Sequence, residues 1–154
     1  VQSLIAQNYG AGLMDRVKKG VKESLKLVGA IGIIATIILF AFRNYLFEIF
    51  VPGDLETINL GAKYLAILSA SQLMMALEIG STGIIQGLSD TRTPSAISII
   101  FNAARIPISI LLMPYFGVLG IWLSMTITSI IKGLLSLFLL KKKMKKNLKV
   151  IDFR

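Results

Sequence analysis

Apolar residues dominate this chain in four long stretches that short polar segments separate. The stretches predict four membrane-spanning helices at about residues 15–50, 58–89, 94–114 and 118–141. Each stretch contains 20 or more residues, which is enough for a helix to cross about 30 Å of hydrocarbon. The pattern therefore predicts an all-α integral membrane protein with four transmembrane helices.

Turn residues mark the limits of these spans. The first helix is expected to start near Asp15 and to stop at the "VPGD" segment, where Pro52 and Gly53 cannot continue it. Pro94 is a natural first-turn residue for the third span. The segment "PYFGVLG" after Met113 predicts a short turn before the fourth span.

Charge lies at the two ends of the chain and is scarce between them. Of 17 Lys and Arg residues, five fall within residues 16–26 and seven within 141–154. Because four spans return the chain to its starting side, the positive-inside rule puts both ends and the "SDTRTP" loop in the cytoplasm. Residues 147–154 are then a cytoplasmic tail. We expect no nucleic-acid partner despite the net charge of +9, because no aromatic platform accompanies the lysines.

The sequence contains no Cys and no His, which removes thiol chemistry, imidazole bases and most zinc sites. The remaining acids and bases form no nucleophile–base pair, so no enzymatic activity is expected. We also expect no cofactor other than a coupling ion.

Glu78 is the acidic residue inside the second span. A charge at a helix centre costs roughly 2.5–3.5 kcal/mol on insertion scales, so such residues normally face a bundle interior or a wet cavity. We predict Glu78 as the ion-coupling residue. Four further residues of the same helix are predicted to line a substrate cavity with it: Ser71, Met74, Met75 and Thr82.

The third and fourth spans also carry polar stripes. The third stripe, with spacings of 3, 4, 3 and 4, is Ser95, Ser98, Asn102, Arg105 and Ser109; the fourth, with a spacing of 4, is Ser124, Thr128, Lys132 and Ser136. We predict that Asn102 and Arg105 line or brace the cavity, and that the stripes face a shared water-filled cavity or a partner bundle. Other interpretations stay open. Lys132 is expected to extend toward the cytoplasmic surface, Arg105 could anchor a kink at Pro107 or pair with Glu78, and Glu78 could belong to a structural ion pair.

Two loop segments carry a family resemblance. "AQNYGAGLMDRVKKG" (residues 6–20) and "GLSDTRTPSA" (residues 87–96) resemble, in order and spacing, cytoplasmic segments of the multidrug and toxic compound extrusion (MATE) transporters. The resemblance implies twelve helices in two six-helix lobes, and this chain resembles the C-terminal portion of the second lobe. Residues 1–8 would then end a preceding transmembrane helix and its loop, and residues 9–146 would form the partial lobe.

The resemblance also implies a function. It implies export of small organic cations across the inner membrane of a bacterium or archaeon, driven by inward flow of H⁺ or Na⁺. Glu78 falls on a helix that carries an intramembrane acid in many members; some have an acid where this chain has Met75. The partners implied are the lipid bilayer and the remaining helices of the transporter, without which the segment should not transport. Two alternatives remain: a lobe of a lipid-linked oligosaccharide flippase, and a non-transporting membrane anchor or assembly subunit.

Overall fold

The computed structural model describes the backbone of residues 1–151 and the side chains of residues 1–146. Six helices follow one another along the chain: α1 (Gln2–Gly10), α2 (Met14–Ala41), α3 (Arg43–Phe50), α4 (Leu55–Gly87), α5 (Arg92–Phe116) and α6 (Val118–Ile151). Within residues 1–151 there is no strand, so the all-α prediction is confirmed. The segment predicted as a tail, 147–154, continues α6 as far as Ile151, and residues 152–154 lie outside the described residues.

Four helices are long and apolar enough to cross a membrane: α2, α4, α5 and the part of α6 up to Lys146. Large aliphatic side chains point outward from them, among them Ile34, Ile37, Ile100 and Ile110. A helix that is apolar on its outer face as well as its inner face is suited to lipid rather than to water. The prediction of four spans is therefore confirmed.

The first predicted span is wrong as one continuous helix over 15–50. It breaks at Phe42 into α2 and the short α3. Next to the break, the Arg43 guanidinium donates a hydrogen bond to the Phe40 carbonyl at 2.8 Å and lies over the Phe40 ring. In an unbroken helix that carbonyl would accept from the amide of residue 44. The first charged side chain after the apolar stretch therefore binds backbone at the point where the helix breaks.

The predicted turn "PYFGVLG" is also too long. α5 continues through Pro107 and Pro114 to Phe116, and the connection to α6 is the single residue Gly117. Gly117 has φ 58° and ψ −136°, a conformation that is open to glycine and strained for residues with a Cβ atom. One glycine is sufficient to reverse the chain here.

The "VPGD" stop occurs as predicted. Gly53 has φ 88°, and the Asp54 carboxylate caps α4 by accepting from the amide and hydroxyl of Thr57 at 3.1 and 2.6 Å. An aspartate at this position satisfies a backbone amide that has no partner within the helix. The start of α4 is thus fixed by its sequence.

Helices α4 and α6 form the centre of the bundle. α4 packs against α1, α2, α3 and α6, whereas α5 packs mainly against α6. Small residues allow the close contacts: a Cβ atom on Gly32 would lie 2.9 Å from the Ala76 Cβ atom, and one on Gly80 would lie 3.2 Å from Val28. The resulting lateral order is α2, α4, α6 and α5.

The main apolar core lies at one end of the bundle. It joins α1, the start of α2, the end of α4 and the part of α6 around residue 140 through Ile5, Met14, Val17, Val21, Ile84, Ile85, Leu88 and Leu140. The lysines of residues 18–26 and 141–146 flank this core in the sequence, so we call this the lysine-rich end. Both lysine clusters therefore lie at the same end, as an even number of spans requires.

Candidate ion-coupling site

Glu78 pairs with Lys132 between the two central helices. The Lys132 Nζ atom lies 3.3 Å from the Glu78 Oε1 atom, and the two side chains are only 10% and 13% exposed. Glu78 is nine residues before the end of α4, and Lys132 is nine residues before Lys141. At 1.5 Å per residue, both lie roughly 13–14 Å from the lysine-rich end, about half the thickness of the hydrocarbon layer.

This pairing agrees with the alternative that Glu78 belongs to an ion pair, and it corrects two other interpretations. Lys132 does not extend toward the surface, and Arg105 does not pair with Glu78. The reason is the close packing of α4 and α6, which turns Lys132 toward the face of α4 that carries Glu78. A Cβ atom on Gly133 would lie 2.6 Å from the Met74 carbonyl oxygen, so the two backbones almost touch beside the pair.

The polar stripes of α5 and α6 pack against each other. The Arg105 guanidinium donates from Nε to the Thr128 hydroxyl and from a terminal nitrogen to the Ser129 hydroxyl, both at 3.0 Å. The Ser109 and Ser124 hydroxyls lie 2.6 Å apart. We call these five residues the α5–α6 hydroxyl seam. Thr128 also donates to the Ser124 carbonyl at 2.7 Å, which leaves its lone pairs for the guanidinium.

The seam changes the interpretation of Arg105. Among the side chains of residues 1–146, no carboxylate lies within 4 Å of this guanidinium. Neutral hydroxyls hold the cation instead. The seam connects helices directly, so at Arg105 and Ser109 the stripe of α5 faces α6 and not a cavity shared with α4.

The other predicted cavity residues occupy different environments. Ser71 is fully buried, and its hydroxyl donates to the Leu68 carbonyl at 2.9 Å. Met74 and Thr82 are half-buried, with Met74 against Gly133, whereas Met75 is 40% exposed and Asn102 is exposed. The structure therefore packs Met74 against α6 at Gly133, the residue after Lys132, and turns Met75 and Asn102 outward from the described helices. The roles of all seven predicted site residues in coupling or substrate binding stay predictions.

Ser81, one turn after Glu78, is fully buried, and its hydroxyl has no hydrogen-bond partner within the described part of the chain. A polar atom of this kind is uncommon in a packed helix pair. Its spacing of three from Glu78 could be seen in the sequence. Its burial could not be predicted, because it depends on the neighbouring helices.

A second charged contact lies at the lysine-rich end, in the "SDTRTP" loop. Asp90 accepts from the amide and hydroxyl of Thr93 at 3.1 and 2.8 Å, and the Lys143 ammonium lies 2.5 Å from its Oδ2 atom. The hydrogen bond from Lys143, aided by those from Thr93, lowers the pKa of Asp90 from 3.8 to about 2. The same Asp-x-x-Thr spacing occurs at Asp54, whose carboxylate binds Thr57 in the same way. The contact with Lys143 was not predicted.

Comparison with known proteins identifies the chain. The family model MatE matches residues 1–111, which include both loop motifs and two predicted site residues of α4, Met74 and Glu78. The chain belongs to the MatE family. The predicted resemblance is thereby confirmed, although the matched segment ends before Lys132.

Two curated relatives agree with the MatE assignment. The chain is 30% identical over 122 residues to "Probable multidrug resistance protein YoeA" of Bacillus subtilis, an alignment that covers 77% of this chain and 26% of the relative. It is 27% identical over 100 residues to "Probable multidrug resistance protein NorM" of Deinococcus radiodurans, covering 62% of this chain and 22% of the relative. The chain thus spans about a quarter of the length of the MatE relatives it matches.

Proposed function

We propose that this MatE chain is part of a secondary active exporter of organic cations, and that Glu78 couples export to inward flow of H⁺ or Na⁺. The observation that carries the proposal is the Glu78–Lys132 pair, enclosed between the two central helices about halfway through the hydrocarbon layer. The names of both relatives, which refer to multidrug resistance, support the substrate class. The remaining helices of the transporter would complete the cavity, and both lysine clusters would face the cytoplasm of a bacterial or archaeal cell.

The pair supplies a physical route from ion binding to helix movement. While Glu78 is ionised, the Lys132 ammonium balances its charge. When a proton or Na⁺ binds Glu78, the Lys132 ammonium loses its counter-ion in a setting of low dielectric. Removing one partner of a buried pair costs about 3–5 kcal/mol, so Lys132 must then move toward water or another acceptor. That movement would loosen the contact between α4 and α6.

A cationic substrate would act on the same pair. An organic cation near Glu78 competes with Lys132 for the single carboxylate, and so do the coupling ions. Mutually exclusive binding of substrate and coupling ion at one carboxylate is the requirement of an antiporter. Lys132 would balance the charge of Glu78 while neither the substrate nor the coupling ion is bound.

The test uses single and double variants of the full-length protein in proteoliposomes, with efflux of a fluorescent organic cation under an imposed H⁺ or Na⁺ gradient. Glu78→Gln and Lys132→Gln should each reduce the yield of folded protein, because each leaves one buried charge without its partner. The double variant Glu78→Gln with Lys132→Gln should restore the yield but not the coupled export. Glu48→Gln, which changes an exposed acid of α3, is the control and should export normally.

A purely structural pair gives a different result. If the double variant exports the cation with the ion dependence of the native protein, Glu78 takes no part in coupling. The structure offers less support to a flippase for pyrophosphate-linked lipids, because Glu78 already neutralises Lys132 and the hydroxyl seam holds Arg105.

A further inference from the structure

A cavity of about 520 Å³ opens at the lysine-rich end of the bundle, away from the Glu78–Lys132 pair. It lies where α1 and the start of α5 come close to the end of α4 and to residues 139–146 of α6. Its volume falls within the range of about 300–1,000 Å³ that is typical of small-molecule sites. Three aliphatic side chains line it: Ile85, Leu88 and Leu139.

Polar groups line the rest of the cavity, and their net charge is positive. Lys142, Lys143 and Lys146 contribute three ammonium groups, and Asp90 contributes one carboxylate. Asp90 binds Lys143, which neutralises that lysine. Within the described side chains, no carboxylate lies within 4 Å of Lys142 or Lys146. These two lysines therefore carry the uncompensated charge of the cavity.

Lys142 and Lys146 lie on the same face of α6 because they are four residues apart. Like charges at this spacing repel each other, and an anion bound between them would remove the repulsion. Tyr9 from α1 and Thr93 from α5 add hydroxyl groups to the lining. The lining thus combines two cations on one helix with neutral hydrogen-bonding groups on two others.

The position of the cavity indicates which class of anion it would bind. The uncharged stretch of α6 that follows Lys132 ends at Leu140, and a run of lysines begins with the next residue, so the cavity lies at the level of the lipid headgroups. Aliphatic and charged groups in one cavity suit an amphipathic molecule better than a free ion. Basic pockets between transmembrane helices bind the headgroups of anionic lipids in this way.

We infer that this cavity binds the headgroup of an anionic phospholipid. Lys142 and Lys146 contact the phosphodiester, and Ile85, Leu88 and Leu139 lie beside the first part of the lipid chains. A bound lipid would contact α1, α4, α5 and α6 together. The proposal does not depend on the transport function, because it rests on different residues.

The test measures which lipids stay bound to the full-length protein. The protein is purified from equal mixtures of phosphatidylglycerol and phosphatidylcholine, and native mass spectrometry gives the ratio of the two bound lipids. Changing both Lys142 and Lys146 to Gln should reduce the preference for phosphatidylglycerol by on the order of fivefold per lysine. The control changes Lys19 and Lys22 to Gln, which removes the same charge from exposed positions of α2 outside the cavity, and should keep the preference.

Three results would overturn the inference. The cavity variant could keep the native preference, both double variants could lose it equally, or inorganic phosphate at millimolar concentration could remove the bound phosphatidylglycerol from the native protein. The second result would indicate general surface charge, and the third a site for free phosphate. If the Gln variant does not fold, the variant with Arg at both positions should fold and keep the preference, and its loss there would contradict the proposal.

Discussion

The contact between Gly133 and Met74 makes a quantitative prediction about the centre of the bundle. In Gly133→Ala, the new Cβ atom would lie 2.6 Å from the Met74 carbonyl oxygen and 3.0 Å from its Cβ atom. Ordinary contact requires about 3.5 Å, so α4 and α6 must separate by roughly 1 Å at this level. The obstacle is backbone, which cannot rotate out of the way as a side chain can.

Two opposing terms set the size of the effect. Overpacking of this kind costs about 1–3 kcal/mol. Replacing glycine by alanine inside a helix returns about 1 kcal/mol through helix propensity. The matched control is Gly83→Ala in α4, which gains the same propensity and meets no atom within 4 Å. The two variants should therefore differ in free energy of unfolding by about 1–3 kcal/mol, with Gly133→Ala the less stable.

The assay is thermal unfolding of the purified full-length protein in one detergent, with both alanine variants measured together. A third variant adds Met74→Ala to Gly133→Ala. It should not restore stability, because the carbonyl oxygen and the Cβ atom of residue 74 remain. The close approach of α4 and α6 would be refuted if Gly133→Ala were as stable as Gly83→Ala, or if trimming Met74 rescued it.

Two other predictions concern the loops. Gly117→Ala should lower the free energy of unfolding by about 1–3 kcal/mol, because residue 117 has φ 58° and ψ −136°. Gly10→Ala, at a position with open space around it, should lower it much less in the same thermal assay. Asp90→Asn should destabilise the protein by up to about 2 kcal/mol at pH 7, since the pKa of Asp90 is lowered from 3.8 to about 2. That contribution is present above about pH 4 and is lost as the pH falls toward 2, so the variant and the native protein should converge in acid unfolding curves. Equal stability at pH 7 would contradict the Lys143 contact.

The spans and the family could be predicted from the sequence because these depend on local signals. Uncharged stretches of 20 residues define membrane helices almost independently of their surroundings. Asp54 and Asp90, each three residues before a threonine, accept from that threonine's backbone amide in the first turn of the following helix. This spacing is also a local signal, although these two caps were not among the predictions. The predicted end of the first helix was wrong because it depends on a local contact, between Arg43 and Phe40, that cannot be inferred from composition.

The partners of the buried charges could not be predicted in the same way. A helical stripe shows which face of a helix is polar, but not which neighbour that face meets. Arg105 was the partner considered for Glu78, and Lys132 was expected at the surface, because the lateral order of the helices was not known. α6 lies between α4 and α5, so Lys132 contacts Glu78 and Arg105 contacts α6 instead.

The α5–α6 hydroxyl seam has a consequence for how this part of the chain can vary in length. Arg105 and Thr128 are 23 residues apart, joined by two helical segments and the single residue Gly117. Inserting or deleting one residue in either segment would rotate one partner by about 100° around its helix axis. The guanidinium would then point away from its hydroxyls. Homologous sequences should therefore keep this spacing fixed and place their insertions near residues 51–54, where no such register has to be preserved.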